Sequence, residues 1–263
     1  MAGTQVRGYG LIYAALILGL LQALFTIPSG GGMAYFVFLG GILGFVGYLV
    51  VASKNPLPEH AKKWAILGAL LFIIVIVIAS VQIFVIGSAM DKKMATVDEE
   101  IDNLNEENWE EQKHTILTHI KELIDFLLYF IILLALSTAM LCWAACTPSL
   151  FTKKKNVMII PVVIALSAVI AAAALTWSNF STIKGYINDI DSATTYDELM
   201  DACSKVINYM AVITVGSQIG GVLNLIAFIL ALIFIGKSKL TPKDTAPPTL
   251  EGTHTTEKET SSE

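Results

Sequence analysis

The chain has 263 residues, 55% of them hydrophobic and only 15% charged, with a formal net charge of −5. Its mean hydropathy is +0.67. Soluble domains carry about 25% charged residues. The shortfall here is gathered into long uncharged runs, which places the chain among membrane proteins and leaves no basic domain that would engage nucleic acid.

Six runs are long enough to cross a hydrocarbon core of about 30 Å as helices: 8–27, 34–52, 64–87, 123–146, 157–177 and 211–236. Open loops cannot sit in lipid with unpaired backbone groups, so each run is expected to be helical. The fold class is therefore all-α: a polytopic membrane protein of six spans in three hairpins, with residues 1–239 as the membrane domain. The first run follows Arg7 as a secretory signal core would. It lacks a small-residue cleavage site, however, and a Pro28-Ser29-Gly30-Gly31-Gly32 turn leads on into the next run, so it is read as a retained span.

Basic loop residues set the orientation. Arg7, Lys54, Lys62, Lys63, Lys153 to Lys155 and the four lysines from Lys237 onward fall on one side, eleven of the seventeen. Sixteen of the 22 carboxylates fall on the other side or at its boundary. Both termini are accordingly expected in the cytoplasm, of a plasma or cell membrane, with an acidic surface outside. Such a surface gathers cations or a basic partner.

The two long outer segments, 88–122 and 178–210, each contain a capping-box pattern: Thr96 with Glu99, and Thr195 with Glu198. In that motif the Thr hydroxyl accepts a free amide of the first turn and the Glu returns the bond. Apolar residues follow at helical spacing: Val97, Ile101 and Leu104 in the first, then Leu199, Cys203 and Val206 in the second. Without Gly or Pro breaks before them, spans 4 and 6 are expected to continue outward as helices. Helices starting at Thr96 and Thr195 are expected to pack into one cap. Residues 240–263 are rich in Thr, Ser, Glu and Pro and are expected to form a disordered cytoplasmic tail.

Within lipid, helices associate through small residues. Gly40 and Gly44 in span 2 and Gly216 and Gly220 in span 6 are the candidate packing positions. Span 3 has none between 70 and 78, which predicts a lipid-exposed helix outside a close-packed group of spans 1, 2, 5 and 6. Polar residues inside spans are costly and often mark pathways. Ser217, Gln218 and Asn224 on span 6 are the candidate polar face, read either as a pore lining or as interhelical hydrogen-bonding groups. No ionised residue is central in any span, which weighs against a proton- or sodium-coupled transporter.

No catalytic constellation stands out, and no cofactor or metal is expected. His114 and His119 are five apart and so on different helix faces, with Glu110, Glu111 and Glu122 nearby. They read as solvated surface rather than as ligands. Cys142 and Cys146 read as small buried hydrophobes ahead of palmitoylation sites. The expected function is a non-enzymatic membrane scaffold or accessory subunit with an acidic extracytoplasmic helical cap. Its partners would be the lipid bilayer, other membrane proteins and possible further copies of itself. The alternative is a channel or facilitator using span 6.

Overall fold

The structure, a computed structural model, describes residues 6–29, 34–150 and 155–237. The glycine turn before span 2 and the tail at 240–263 lie outside them. All regular structure among the described residues is helical. The first hairpin is α1 (Tyr9–Ser29) and α2 (Ala34–Lys54). Next comes α3 (Glu59–Val81), which passes through a π-helical turn at Gln82–Gly87 directly into α4 (Ser88–Asp102). Then follow α5 (Trp109–Leu150), α6 (Lys155–Ser192), α7 (Tyr196–Ile213) and α8 (Val215–Lys237). Six helical stretches are long and apolar enough to cross a membrane. The protein is a six-span helical membrane protein.

The spans form a closed ring. Helix α1 packs on α2 and α8, α2 on α3, α3 on α5, α5 on α6, and α6 on α8. Helix α5 also reaches α1, α2 and α8 across the ring, and its Leu141, Cys142, Ala144, Ala145 and Cys146 are all fully buried. At 42 residues, α5 is about 63 Å long, roughly twice the hydrocarbon thickness. Its first half therefore stands above the bundle, beside α4, α7 and the end of α6.

Two hydrophobic cores result. The membrane core holds Ile12, Leu16, Tyr48, Phe72, Leu141 and Phe228. The cap core holds Ile116, Ile120 and Ile124 of α5, Ile183 and Ile190 of α6, and Leu199 and Val206 of α7. The boundary between them is marked by outward-facing Tyr35, Phe84, Tyr129 and Trp177, the amphipathic aromatic side chains favoured at a membrane surface. Lipid-facing apolar side chains such as Leu70, Val77, Ile170 and Leu166 lie below.

Local contacts explain how the first hairpin closes. Gly8 has φ of 101°, a conformation that favours glycine. A Cβ there would also meet the Gly47 carbonyl oxygen at 2.5 Å. The Asn55 side chain, just past α2, accepts from the Arg7 amide at 2.9 Å and donates to the Arg7 carbonyl at 3.0 Å. It also donates to the Val51 carbonyl at 3.0 Å, satisfying an open end of α2. The start of α1 is thereby fastened to the end of α2.

Three expectations need correction. Thr96 does not begin a helix. It lies within α4, and its hydroxyl donates back to the Lys92 carbonyl at 2.9 Å. The helix of span 3 is already running when Thr96 is reached, and nothing before it stops that helix, so the hydroxyl has no free amide to cap. The true start is at α5, where Asn105 and Asn108 cap each other: the Asn105 side chain accepts from the Asn108 amide at 3.1 Å, and the Asn108 side chain accepts from the Asn105 amide at 2.9 Å. Spans 3 and 5 also rise into the cap, not spans 4 and 6 alone.

Span 3 is not an outlying helix. Ala61, Ala65, Gly68 and Ala69 form a small buried stripe facing the bundle, with Phe72 and Val75 above it. The run from 70 to 78 is lipid-facing on one side only. The expectation of one cap holds: the helices bearing Thr96 and Thr195 share one core, built around the upper parts of α5 and α6 that stand between them.

In span 2, a Cβ on Gly44 would approach the Phe72 ring to 2.2 Å, whereas nothing lies within 4 Å of one on Gly10. Gly44→Ala is therefore expected to destabilise the bundle by about 1–3 kcal/mol through overpacking, while Gly10→Ala leaves it unchanged. Thermal unfolding of both variants in lipid nanodiscs checks this; equal melting temperatures would remove the Gly44–Phe72 contact from the account.

Candidate functional site

Two regions concentrate polar chemistry, one in the membrane and one in the cap. The membrane region contains the candidate polar face of span 6. Ser217 and Asn224 are buried, and Gln218 is half-buried at its edge. The Ser217 hydroxyl donates to the Thr214 carbonyl at 2.7 Å, across the short break between α7 and α8. Ser217, Gly220, Gly221 and Asn224 face Thr26 of α1 and Thr138 of α5 around a small cavity of about 10 Å³. That is room for a single water molecule.

The sequence reading missed two members of this buried polar group. Gln22 of α1 is fully buried, and its amide donates to the Thr26 hydroxyl at 3.3 Å. Thr176 of α6 is also fully buried, against α8. The carbonyl oxygens of the Gln22 and Asn224 side chains and the Thr176 hydroxyl have no protein partner among the described residues. A polar residue four positions from a threonine inside an apolar run, as at Gln22 and Thr26, was the available signal. Nearer the cap, Gln82 in the π-helical turn is fully buried. It donates to the Phe130 carbonyl at 3.3 Å and accepts from the Ser137 hydroxyl at 3.4 Å, tying α3 to α5.

The glycines stand at helix contacts. A Cβ on Gly216 would lie 2.7 Å from the Thr176 hydroxyl and 2.8 Å from the Ala172 carbonyl oxygen. One on Gly220 would lie 3.2 Å from the Ala168 carbonyl oxygen, and one on Gly40 equally close to the Ala15 carbonyl oxygen and to Leu141. Both ends of span 6's small-residue face thus rest on the small face of span 5. The three cysteines are buried and unpaired, and burial pushes the Cys203 thiol up to about 11, which keeps it protonated and unreactive at neutral pH.

The cap is the second region. Thr195 has the extended backbone of a helix cap, and its hydroxyl accepts from the Glu198 amide at 3.3 Å. The Glu198 carboxylate reaches back one residue further than the sequence pattern implied, to the Thr194 amide at 2.8 Å and its hydroxyl at 2.9 Å. Those donors hold the Glu198 carboxyl below its ordinary value. Lys93 of α4 pairs with Glu122 of α5, and the hydrogen bond from Lys93 lowers the Glu122 carboxyl in the same way.

The His119 ring nitrogen Nδ1 donates to both Glu100 oxygens, at 2.8 and 2.9 Å, joining α5 to α4. At the summit, Lys113 donates to the Ala193 carbonyl at 2.8 Å and the Tyr196 hydroxyl to the Leu104 carbonyl at 3.4 Å, linking the α4–α5 and α6–α7 connections. Between α4 and α5 lies an open acidic cleft of about 550 Å³ lined by Glu99, Glu100, Asn103, Glu111, Gln112 and Thr115. No group of metal-ligating side chains occurs among the described residues.

Comparison with protein families, curated proteins and solved structures gives no match. The functional reading therefore rests on the geometry.

The lowered carboxyl of Glu198 carries a pH dependence. Its contribution is present in full above the ordinary glutamate value of about 4.3 and is lost as pH falls through the lower folded value. Glu198→Gln is expected to melt below wild type at neutral pH, with the difference closing as pH drops below about 4. Melting curves across pH for the two proteins check this; a difference constant with pH would mean the carboxylate is not the source.

Proposed function

We propose that the protein is a non-enzymatic membrane scaffold or accessory subunit whose acidic helical cap receives a basic segment of a partner membrane protein. The observation that carries this is the cap itself. Its helices share a hydrophobic core, and their connections are cross-bonded at the summit. This makes the cap a shaped body above the membrane rather than a pair of linkers. Outside that core its surface is acidic, with Glu99 and Glu111 exposed along the cleft between α4 and α5. A surface of one sign steers an oppositely charged partner and fixes its approach. In this reading the cap is extracytoplasmic and both termini are cytoplasmic, as the basic loops indicate.

The channel alternative depends on Ser217, Gln218 and Asn224 lining a conduit. The cavity that Ser217 and Asn224 border holds only about 10 Å³, and Gln218 does not line it, which supports an interhelical packing role. The same cavity yields a test that separates the two functions. Asn224→Leu replaces a buried side chain, whose carbonyl oxygen has no protein partner, with an apolar one of similar size. Such a change is expected to leave stability within about 1 kcal/mol of wild type or above it. Neither wild type nor variant is expected to pass ions or small solutes in reconstituted vesicles. Flux through wild type that Asn224→Leu abolishes would establish the channel instead.

Topology and partner are tested together in intact cells. A cysteine at Asn103, exposed at the cap summit, is expected to react with an impermeant thiol reagent, and one at Ser53 to react only after permeabilisation. Replacing Glu99, Glu106, Glu107, Glu110 and Glu111 with glutamine is expected to release cross-linked partners that wild type retains at low salt. An unchanged partner set would remove the acidic cap from recognition; labelling at Ser53 alone would invert the protein in the membrane.

A further inference from the structure

The cap carries six lysines, and three of them are engaged. Lys93 pairs with Glu122, Lys205 with Asp201, and Lys113 donates to the Ala193 carbonyl. Lys121 of α5 and Lys184 of α6 form no ion pair among the described residues. Yet they line one concave cleft of about 400 Å³ between those helices, with Asp125, Phe180 and Asn188. Two ammonium groups sharing a cleft with the single carboxylate of Asp125 leave one positive charge that a further anion would match.

The position of the cleft identifies the anion. Helix α6 rises out of the membrane, and side chains on a helix tilt toward its N-terminus, so Lys184 leans back toward the bilayer. Its ammonium lies 4.7 Å from the centre of the Phe180 ring, and that ring lies 6.0 Å from the ring of Trp177. Trp177 is 70% exposed at the membrane boundary. Trp177, Phe180 and Lys184 thus climb in order from the lipid edge into the cleft. Across it, Asp125 and Lys121 occupy successive turns of α5 just above the outward-facing Tyr129. Aromatic side chains below and lysines above match a phospholipid, with its glycerol and upper acyl region against the rings and its phosphate at the ammonium groups.

We infer that Lys121 and Lys184 hold the phosphate of a phospholipid headgroup in the cap-side leaflet, clamping the cap to the membrane surface. Two lysines against the single carboxylate of Asp125 leave one net positive charge, which favours an anionic phospholipid over a zwitterionic one. Asn188 supplies a further polar contact at the rim. This site is independent of the acidic cleft between α4 and α5, which lies on another face of α5.

The test uses the full chain in nanodiscs of phosphatidylcholine containing a minor fraction of phosphatidylglycerol, followed by native mass spectrometry of retained lipid. Wild type is expected to keep one phosphatidylglycerol in preference to phosphatidylcholine. The double variant Lys121→Gln/Lys184→Gln is expected to keep roughly tenfold less, with an unaltered melting temperature as the check that it is folded. Asp125→Asn, which removes the opposing charge, is expected to keep more than wild type, and Lys92→Gln, which alters a cap lysine outside the cleft, to behave as wild type. Equal retention by wild type and the double variant would overturn the assignment, as would reduced retention by Asp125→Asn. Loss of the bound lipid on adding inorganic phosphate would reassign the cleft to a free anion and likewise overturn it.

Discussion

Every other part of this protein depends on α5 being long, unbroken and central. Its lower half meets α1, α2, α3, α6 and α8 in the membrane, and its upper half carries Ile116, Ile120 and Ile124 into the cap. The two halves are held by different physics. In water, burying each of those isoleucines contributes about 1.5–3 kcal/mol relative to exposure. In lipid that driving force is absent, and helices associate by close packing and interhelical hydrogen bonds. The side chains of α5 change accordingly, from large and branched in the cap to Ala139, Ala144, Ala145 and the two cysteines below. Tyr48 reaches this lower stretch from α2, donating its hydroxyl to the Ala145 carbonyl.

The same division explains why the cap covers only part of the bundle. Helices α1 and α2 end at the membrane boundary, joined by a short connection, while the helices of spans 3 to 6 all rise above it. The first hairpin contributes only to the membrane core, and its contacts are accordingly short-range and steric: Gly8 on Gly47, Gly40 on Ala15, Gly44 on Phe72. Phe228 of α8 closes the other side of α1, lying where a Cβ on Gly19 would come within 2.4 Å of its ring. A core of this kind tolerates apolar exchange on the lipid side and resists added volume at the glycines.

Much of this architecture was legible in the chain because the strongest signals were global. Six apolar runs imposed six helices, and the stripe of Leu199, Cys203 and Val206 imposed a buried face on α7. The misreadings came from local patterns taken without their context. A threonine three residues before a glutamate caps a helix only where a helix begins, as at Thr195; at Thr96 one is already under way. Span 3 looked like a lipid helix because 70–78 lacks small residues, while its packing stripe lies a turn earlier at Ala61, Ala65, Gly68 and Ala69. The polar face of span 6 was visible, but Gln22 and Thr176, which complete the buried group, come from other spans. Their convergence is a property of the ring and not of any one segment.

The concentration of carboxylates on the cap works to drive its helices apart, and the arrangement of its few cations shows why it does not succeed. Exposed like charges repel weakly beyond about 8 Å at physiological ionic strength, so repulsion matters only at helix seams. At the seam of α4 and α5, Lys93 meets Glu122, and the His119 ring bridges Glu100. At the summit, Lys113 and Tyr196 bond to backbone carbonyls across the two connections. Glu106, Glu107 and Glu110 point outward, and Glu99 and Glu111 are exposed along the cleft between α4 and α5. The negative charge therefore lies on the exterior, while the interior is held by isoleucine and leucine. That separation lets the cap's outer charge vary without touching the packing that supports it.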